Sequence, residues 1–98
     1  MDGSIIQCYG GAGGSGVGQL NNPRHLAVDI YGNVLVADYG NNRVVLLSPS
    51  FTHLGYITVP GHKLRGPFAL YLDLLTHRLY IGELSHAGRL YVLGVDDS

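Results

Sequence analysis

The sequence of 98 residues has one cysteine and no tryptophan, and only 13% of its residues are charged. A single cysteine excludes an internal disulfide, so Cys8 reads as a small apolar filler in a thiol-reducing compartment. No Cys/His spacing follows a zinc-site pattern, so no metal or other cofactor is expected. Base is not in excess either. Six Lys/Arg face seven Asp/Glu, for a formal charge of −1, whereas nucleic-acid modules usually carry a basic surplus. No run approaches the ~20 apolar residues that span a bilayer. Met1-Asp2-Gly3-Ser4 lacks the basic region and apolar run of a secretory signal. The expectation is a cytoplasmic protein with no membrane contact.

Helical periodicity is also little in evidence, because Gly or Pro interrupts most stretches before three turns are complete. What is present is 46% apolar residues, too many for a solvated tail, arranged as short β-branched and aromatic runs separated by turn clusters. The runs predict strands at Ile5–Tyr9, Leu26–Asp29, Val34–Asp38, Arg43–Leu47, His53–Ile57, Phe68–Leu72, Arg78–Gly82 and Arg89–Leu93. Tyr31-Gly32-Asn33, Tyr39-Gly40-Asn41-Asn42 and Ser48-Pro49-Ser50 supply the positive or preset φ of tight turns. Links this short join antiparallel neighbours. The fold class is therefore all-β.

The chain also repeats itself. Asn22–Asp29 aligns with Gly66–Asp73 at an offset of 44 residues, matching Pro, Leu and Asp. Asn33–Asp38 then falls on Arg78–Glu83 at an offset of 45, and Arg43–Leu47 on Arg89–Leu93 at 46. Each extra residue lies in a turn, which is where a duplicated structural unit tolerates insertion. Four antiparallel strands per period of about 40–45 residues is the pattern of a β-propeller blade.

At these residues the chain resembles the NHL repeat, the blade unit of propellers found at the C-terminus of many tripartite-motif proteins. The resemblance rests on Gly13–Gly18, Gln19-Leu20-Asn21-Asn22-Pro23-Arg24, Ala27-Val28-Asp29, Gly32-Asn33-Val34, Val36-Ala37-Asp38 and Asn41-Asn42-Arg43-Val44. The second copy is degenerate, with Glu83 in place of the Asp and Ser85-His86-Ala87-Gly88-Arg89 in place of Asn-Asn-Arg. It also has Leu74-Leu75-Thr76-His77 where the first has its Gly-Asn turn. The resemblance implies three segments. Residues 1–19 are the outer strand of a preceding or closing blade plus a Gly-rich linker. Residues 20–60 are the first blade, and 61–98 a second that lacks its outer strand. Propellers close with about 4–8 blades, so two form an incomplete ring, completed by further blades of a parent chain or by further copies.

Several constellations invite a chemical reading and lose it on inspection. Gly11-Ala12-Gly13-Gly14-Ser15-Gly16 matches the dinucleotide fingerprint, but Val17-Gly18-Gln19-Leu20-Asn21-Asn22-Pro23 follows where a helix must open to hold pyrophosphate. The five His lack metal-ligand spacing, and no G-x-S-x-G elbow presents a serine nucleophile. Asp29, Asp38 and Arg43, with Glu83 and Arg89 in the second copy, read as structural, since Asp38 and Arg43 flank a four-residue turn and their side chains can meet across it.

No catalytic residue is assigned, and this chain is not expected to be an enzyme. The links that crowd one face of a propeller offer Arg24, His25, Tyr39, Asn41, Asn42, Lys63, Arg65, Phe68 and His86, a mixture suited to a peptide or to unstacked bases. The small number of cations favours a protein partner over single-stranded RNA. The resemblance implies a non-catalytic interaction module, such as the recognition end of a tripartite-motif ubiquitin ligase. The alternative it leaves open is a fragment of a lyase-type or lactonase-type enzyme or sensor propeller with an axial metal site.

Overall fold

The computed structural model describes residues 3–84 and 88–95. It is all-β, with seven strands in the described residues: β1 (Pro23–Val28), β2 (Val34–Asp38), β3 (Arg43–Leu47), β4 (His53–Ile57), β5 (Pro67–Asp73), β6 (Arg78–Glu83) and β7 (Leu90–Gly94). They form two antiparallel sheets, one in the order β1-β2-β3-β4 and one in the order β5-β6-β7. The only helical turn among the described residues is Tyr39–Asn41, between β2 and β3.

The offsets read in the sequence reappear as backbone geometry. A one-residue bulge follows Pro23 in β1 and, 44 residues later, Pro67 in β5. Asn22 (φ 53°) and Gly66 (φ 60°), each immediately before that proline, share the left-handed region. In the turn from β1 to β2, the Asp29 carboxylate accepts the Tyr31 and Asn33 N–H groups at 2.9 Å. Asp73 does the same for Leu75 at 3.0 Å and Thr76 at 3.4 Å. Gly32 (φ 83°) and His77 (φ 54°) occupy matching turn positions, so the second copy keeps the conformation after losing the glycine. A short polar or aromatic side chain tolerates this region with local hydrogen bonding, which accounts for Asn and His at positions where only glycine is free of cost.

Alternation along the strands divides the core in two. Leu35, Ala37 and Val44 point from the first sheet towards Leu70, Leu79 and Ile81 of the second, with Val59 and Leu64 of the connecting link between them. The opposite side of the first sheet, Val36, Val45 and Leu47, is covered by Tyr9, Leu20 and Phe51. One direct hydrogen bond joins β1 to β5, the Leu70 N–H donating to His25 Nδ1 at 3.0 Å. A hydrogen bond contributes about 1 kcal/mol, whereas each fully buried Val, Leu or Ile contributes about 1.5–3 kcal/mol. Apolar burial therefore holds the sheets together.

Two strand expectations are corrected. Ile5–Tyr9 belongs to no ladder, and Ile5 and Ile6 are 84% and 93% exposed. A β-rich sequence becomes a strand only against a free edge, and this segment meets none. The first strand of each sheet also begins earlier than expected, at Pro23 and Pro67. A proline is tolerated at a strand's first residue, where the missing N–H costs no ladder bond.

Candidate interaction site

The loops between β2 and β3 and before β1 and β5 meet at one end of the molecule, and the acid closing β2 organises them. Asp38 is fully buried. Its Oδ1 accepts the Asn21 N–H at 2.7 Å, and its Oδ2 accepts Asn41 Nδ2 at 2.9 Å and Arg43 Nε at 2.8 Å. Glu83, 5% exposed at the matching position, accepts the Arg65 N–H at 2.6 Å. Arg65 matches Asn21, so each sheet fixes the approach to its first strand with a buried carboxylate from its second.

Arg43 extends this network into the Gly-rich segment. Its guanidinium donates to the carbonyls of Ser15 at 2.7 Å and Gln19 at 2.8 Å, and stands 5.0 Å from the centre of the Tyr56 ring. Asn41 Nδ2 adds a bond to the Gly14 carbonyl at 2.6 Å. Gly14–Gly16 is therefore held through its carbonyl oxygens by Arg43 and Asn41, and its Gly14 and Gly16 N–H groups donate to the Leu20 carbonyl and the Gln19 side chain rather than facing an anion.

The corresponding pair in the second sheet departs from expectation. Arg89 makes no ion pair with Glu83; it reaches the Tyr91 hydroxyl at 3.4 Å, which holds its pKa above the ordinary value. The turn before it is one residue longer, five residues between Glu83 and Arg89 against four between Asp38 and Arg43. The acid thus accepts the N–H before the first strand in both sheets, whereas only Arg43 of the two arginines pairs with its acid.

Of the remaining site residues, Arg24 and Tyr39 are brought together, the guanidinium 4.8 Å from the ring centre. Asn42 Oδ1 accepts the Gly66 N–H at 2.8 Å. A side chain on Gly66 would stand 3.1 Å from both the Tyr39 ring and the Leu84 carbonyl, so the glycine lets the two loops close. Arg65 and Lys63 are exposed beside this junction, and Phe68 is 38% exposed with its ring edge beside Gly82. His25 is engaged with Leu70 at the sheet junction, and Asn41 is consumed by the Asp38 network. His86 lies outside the described residues. The surface that remains is Arg24, Tyr39, Asn42, Lys63, Arg65 and Phe68: a cation stacked on a ring, two further cations, and an aromatic edge. Tyr9, whose hydroxyl accepts the Gly18 N–H at 2.9 Å, and Tyr56 are structural partners that no sequence signal marks.

At the opposite end, a cleft of about 620 Å³ opens between the sheets, its lining including Leu35, Leu46, Leu72, Leu79 and Leu93 together with Asp29. Among the described residues no three His, Cys, Asp or Glu side chains converge, and no helix is long and apolar enough to cross a membrane. No family model matches the chain, and a search of curated proteins gives no match either.

Proposed function

We propose that the chain is a pair of NHL-type propeller blades whose loop end binds a protein partner through Tyr39 and Phe68, flanked by Arg24 and Arg65. The observation that carries this reading is the stacked Arg24–Tyr39 pair at the junction of two loops fixed by buried carboxylates. Aromatic and arginine side chains on a rigid base are the residues that dominate protein interfaces. The repeated bulges, αL positions and acid-to-amide bonds support the duplication on which the NHL reading rests. Electrostatics favours protein over RNA. If Arg24, Lys63 and Arg65 all met phosphate, the logarithmic salt slope would be only about −2 for a single strand, a weak electrostatic contribution.

The test uses the full chain against a displayed library of random peptides and, separately, a randomised single-stranded RNA at two salt concentrations. Peptides should be selected whose binding is lost in the Tyr39→Ala, Phe68→Ala double variant while the far-ultraviolet spectrum is unchanged. Failure to select any peptide dependent on these rings would contradict the proposal. So would salt-sensitive RNA binding abolished by Arg24→Ala with Arg65→Ala.

A further inference from the structure

We propose that the cleft between the two sheets binds a small amphiphilic amine, with its apolar body among the leucines and its protonated nitrogen on the Asp29 carboxylate. This site is separate from the loop end and does not depend on what that end binds. At about 620 Å³ the cleft falls within the range of about 300–1,000 Å³ that small-molecule sites occupy. Its lining has the matching character, mostly apolar with a few polar groups that can orient an occupant. Leu35 and Leu46 come from the first sheet, and Leu72, Leu79 and Leu93 from the second. Leu35 and Leu79 are buried, whereas Leu46, Leu72 and Leu93 are only half-buried. Packing of the sheets therefore leaves apolar surface in the cleft that a bound molecule would remove from water, which is favourable in proportion to its area.

Charge selects the head group. Among the described residues, Asp29 is the only charged side chain that lines the cleft. Its Oδ1 accepts the Tyr31 and Asn33 N–H groups, and its Oδ2 accepts Asn33 Nδ2, each at 2.9 Å. These donors are neutral, so they fix the carboxylate without cancelling its charge. A carboxylate offers about four acceptor positions, and the fourth, on Oδ2, remains for a further donor. Asp38 has its cation in Arg43, but Asp29 has none in ion-pair range among the described residues. A second carboxylate stands close by. The cleft shares Asp29 and Leu72 with a small recess that Asp73 and His77 also line. Arg78, opposite Asp73 in the β5–β6 ladder, lowers the Asp73 pKa yet forms no ion pair with it. Asp29 and Asp73 are counterparts at the offset of 44 residues, so packing one sheet on the other brings both turn acids to one opening. A cation there gains a charge-assisted hydrogen bond beside apolar walls that weaken screening. A neutral hydroxyl gains less, and an anion is repelled.

A methyl-resolved titration of the full chain with n-decylamine, below its micellar concentration and at neutral pH, reads both the place and the chemistry. The Leu35, Leu46, Leu72, Leu79 and Leu93 methyl signals should shift and saturate. n-Decanol should bind about tenfold more weakly, the scale of a hydrogen bond made between charged rather than neutral groups, and n-decanoate should leave these methyls unmoved. Asp29→Asn keeps an acceptor for the turn and removes the charge, so the amine and the alcohol should then bind equally, with the methyl spectrum of the free protein retained. Added salt tests the same point in the wild type: it should weaken binding of the amine and not of the alcohol. Leu46→Trp, which fills the cleft, should abolish the shifts. Decanoate binding as tightly as decylamine would overturn the proposal, as would an amine preference that survives Asp29→Asn or is indifferent to salt. Shifts confined to the exposed Leu26, Leu75 and Leu90 would overturn it too, since they would mean adsorption on the outer surface.

Discussion

Asp38 shows how much one residue organises here. It is a buried carboxylate whose cost is offset by an amide N–H, a side-chain amide and a guanidinium, all within 2.9 Å. Removing one partner from such a group exposes the full penalty of the uncompensated charge. Arg43→Ala should therefore lower stability by about 3 kcal/mol, read from the denaturant midpoint, and Arg43→Lys should recover only part because lysine lacks the planar fork. An unchanged midpoint would mean that Asp38 does not depend on this pair. Asp73 offers a pH-dependent counterpart. Hydrogen bonds from the Thr76 side chain and then the Leu75 N–H hold its pKa below the ordinary 3.8. A carboxylate with a lowered folded-state pKa contributes stability above its unfolded value and loses it as pH falls through the folded one. The melting-temperature gap between the wild type and Asp73→Ala should be present at neutral pH and shrink as pH drops below 3.8. A gap that does not change with pH would contradict the carboxylate's role in the turn.

At the scale of elements, the most distinctive feature is the left-handed residue and bulge that open β1 and β5. Gly66→Ala places a methyl group in the left-handed region and 3.1 Å from the Leu84 carbonyl, so it should destabilise by about 1–2 kcal/mol. Asn22→Gly at the matching position relieves a side chain at φ 53° and should be neutral or mildly stabilising. Equilibrium unfolding of both variants checks this, and equal losses would deny that β1 and β5 open in equivalent ways. These elements also show what was legible in the sequence. β-branched runs such as Val34–Asp38 and Arg43–Leu47 located strands to the residue, since both periodicity and turn chemistry marked their ends. Ile5–Tyr9, with two β-branched residues and a tyrosine, reads as a strand yet has no ladder, because pairing is a property of the neighbour and cannot be read from the segment. The Asp38–Arg43 pair was readable from its spacing across a turn. The loss of its second-copy analogue was not, because Arg43 depends on carbonyls 24 to 28 residues away. Arg24 and Tyr39, read as members of one loop set, do meet, at 4.8 Å; that Asn41 is spent on Asp38 and His25 on the sheet junction was not readable.

Across the whole molecule, two antiparallel sheets pack face to face around a shared core. Ile81 is fully buried in that core, and Ile81→Ala should cost about 2–5 kcal/mol, a large share of the roughly 5–15 kcal/mol typical of a domain. Because the cluster belongs to both sheets, tryptic susceptibility and spectroscopic signals from either sheet should be lost in a single transition. Independent melting of the sheets would show that they do not share a core. The most direct measurement is a methyl-resolved nuclear Overhauser spectrum of the full chain. It should show Leu35 and Val44 methyls in contact with Leu70, Leu79 or Ile81, together with cross-strand contacts for the Leu26–Val36 and Leu70–Ile81 pairs, each preceded by the same bulge. Methyl contacts confined within each sheet, or different registers in the two sheets, would contradict a duplicated unit packed around one core.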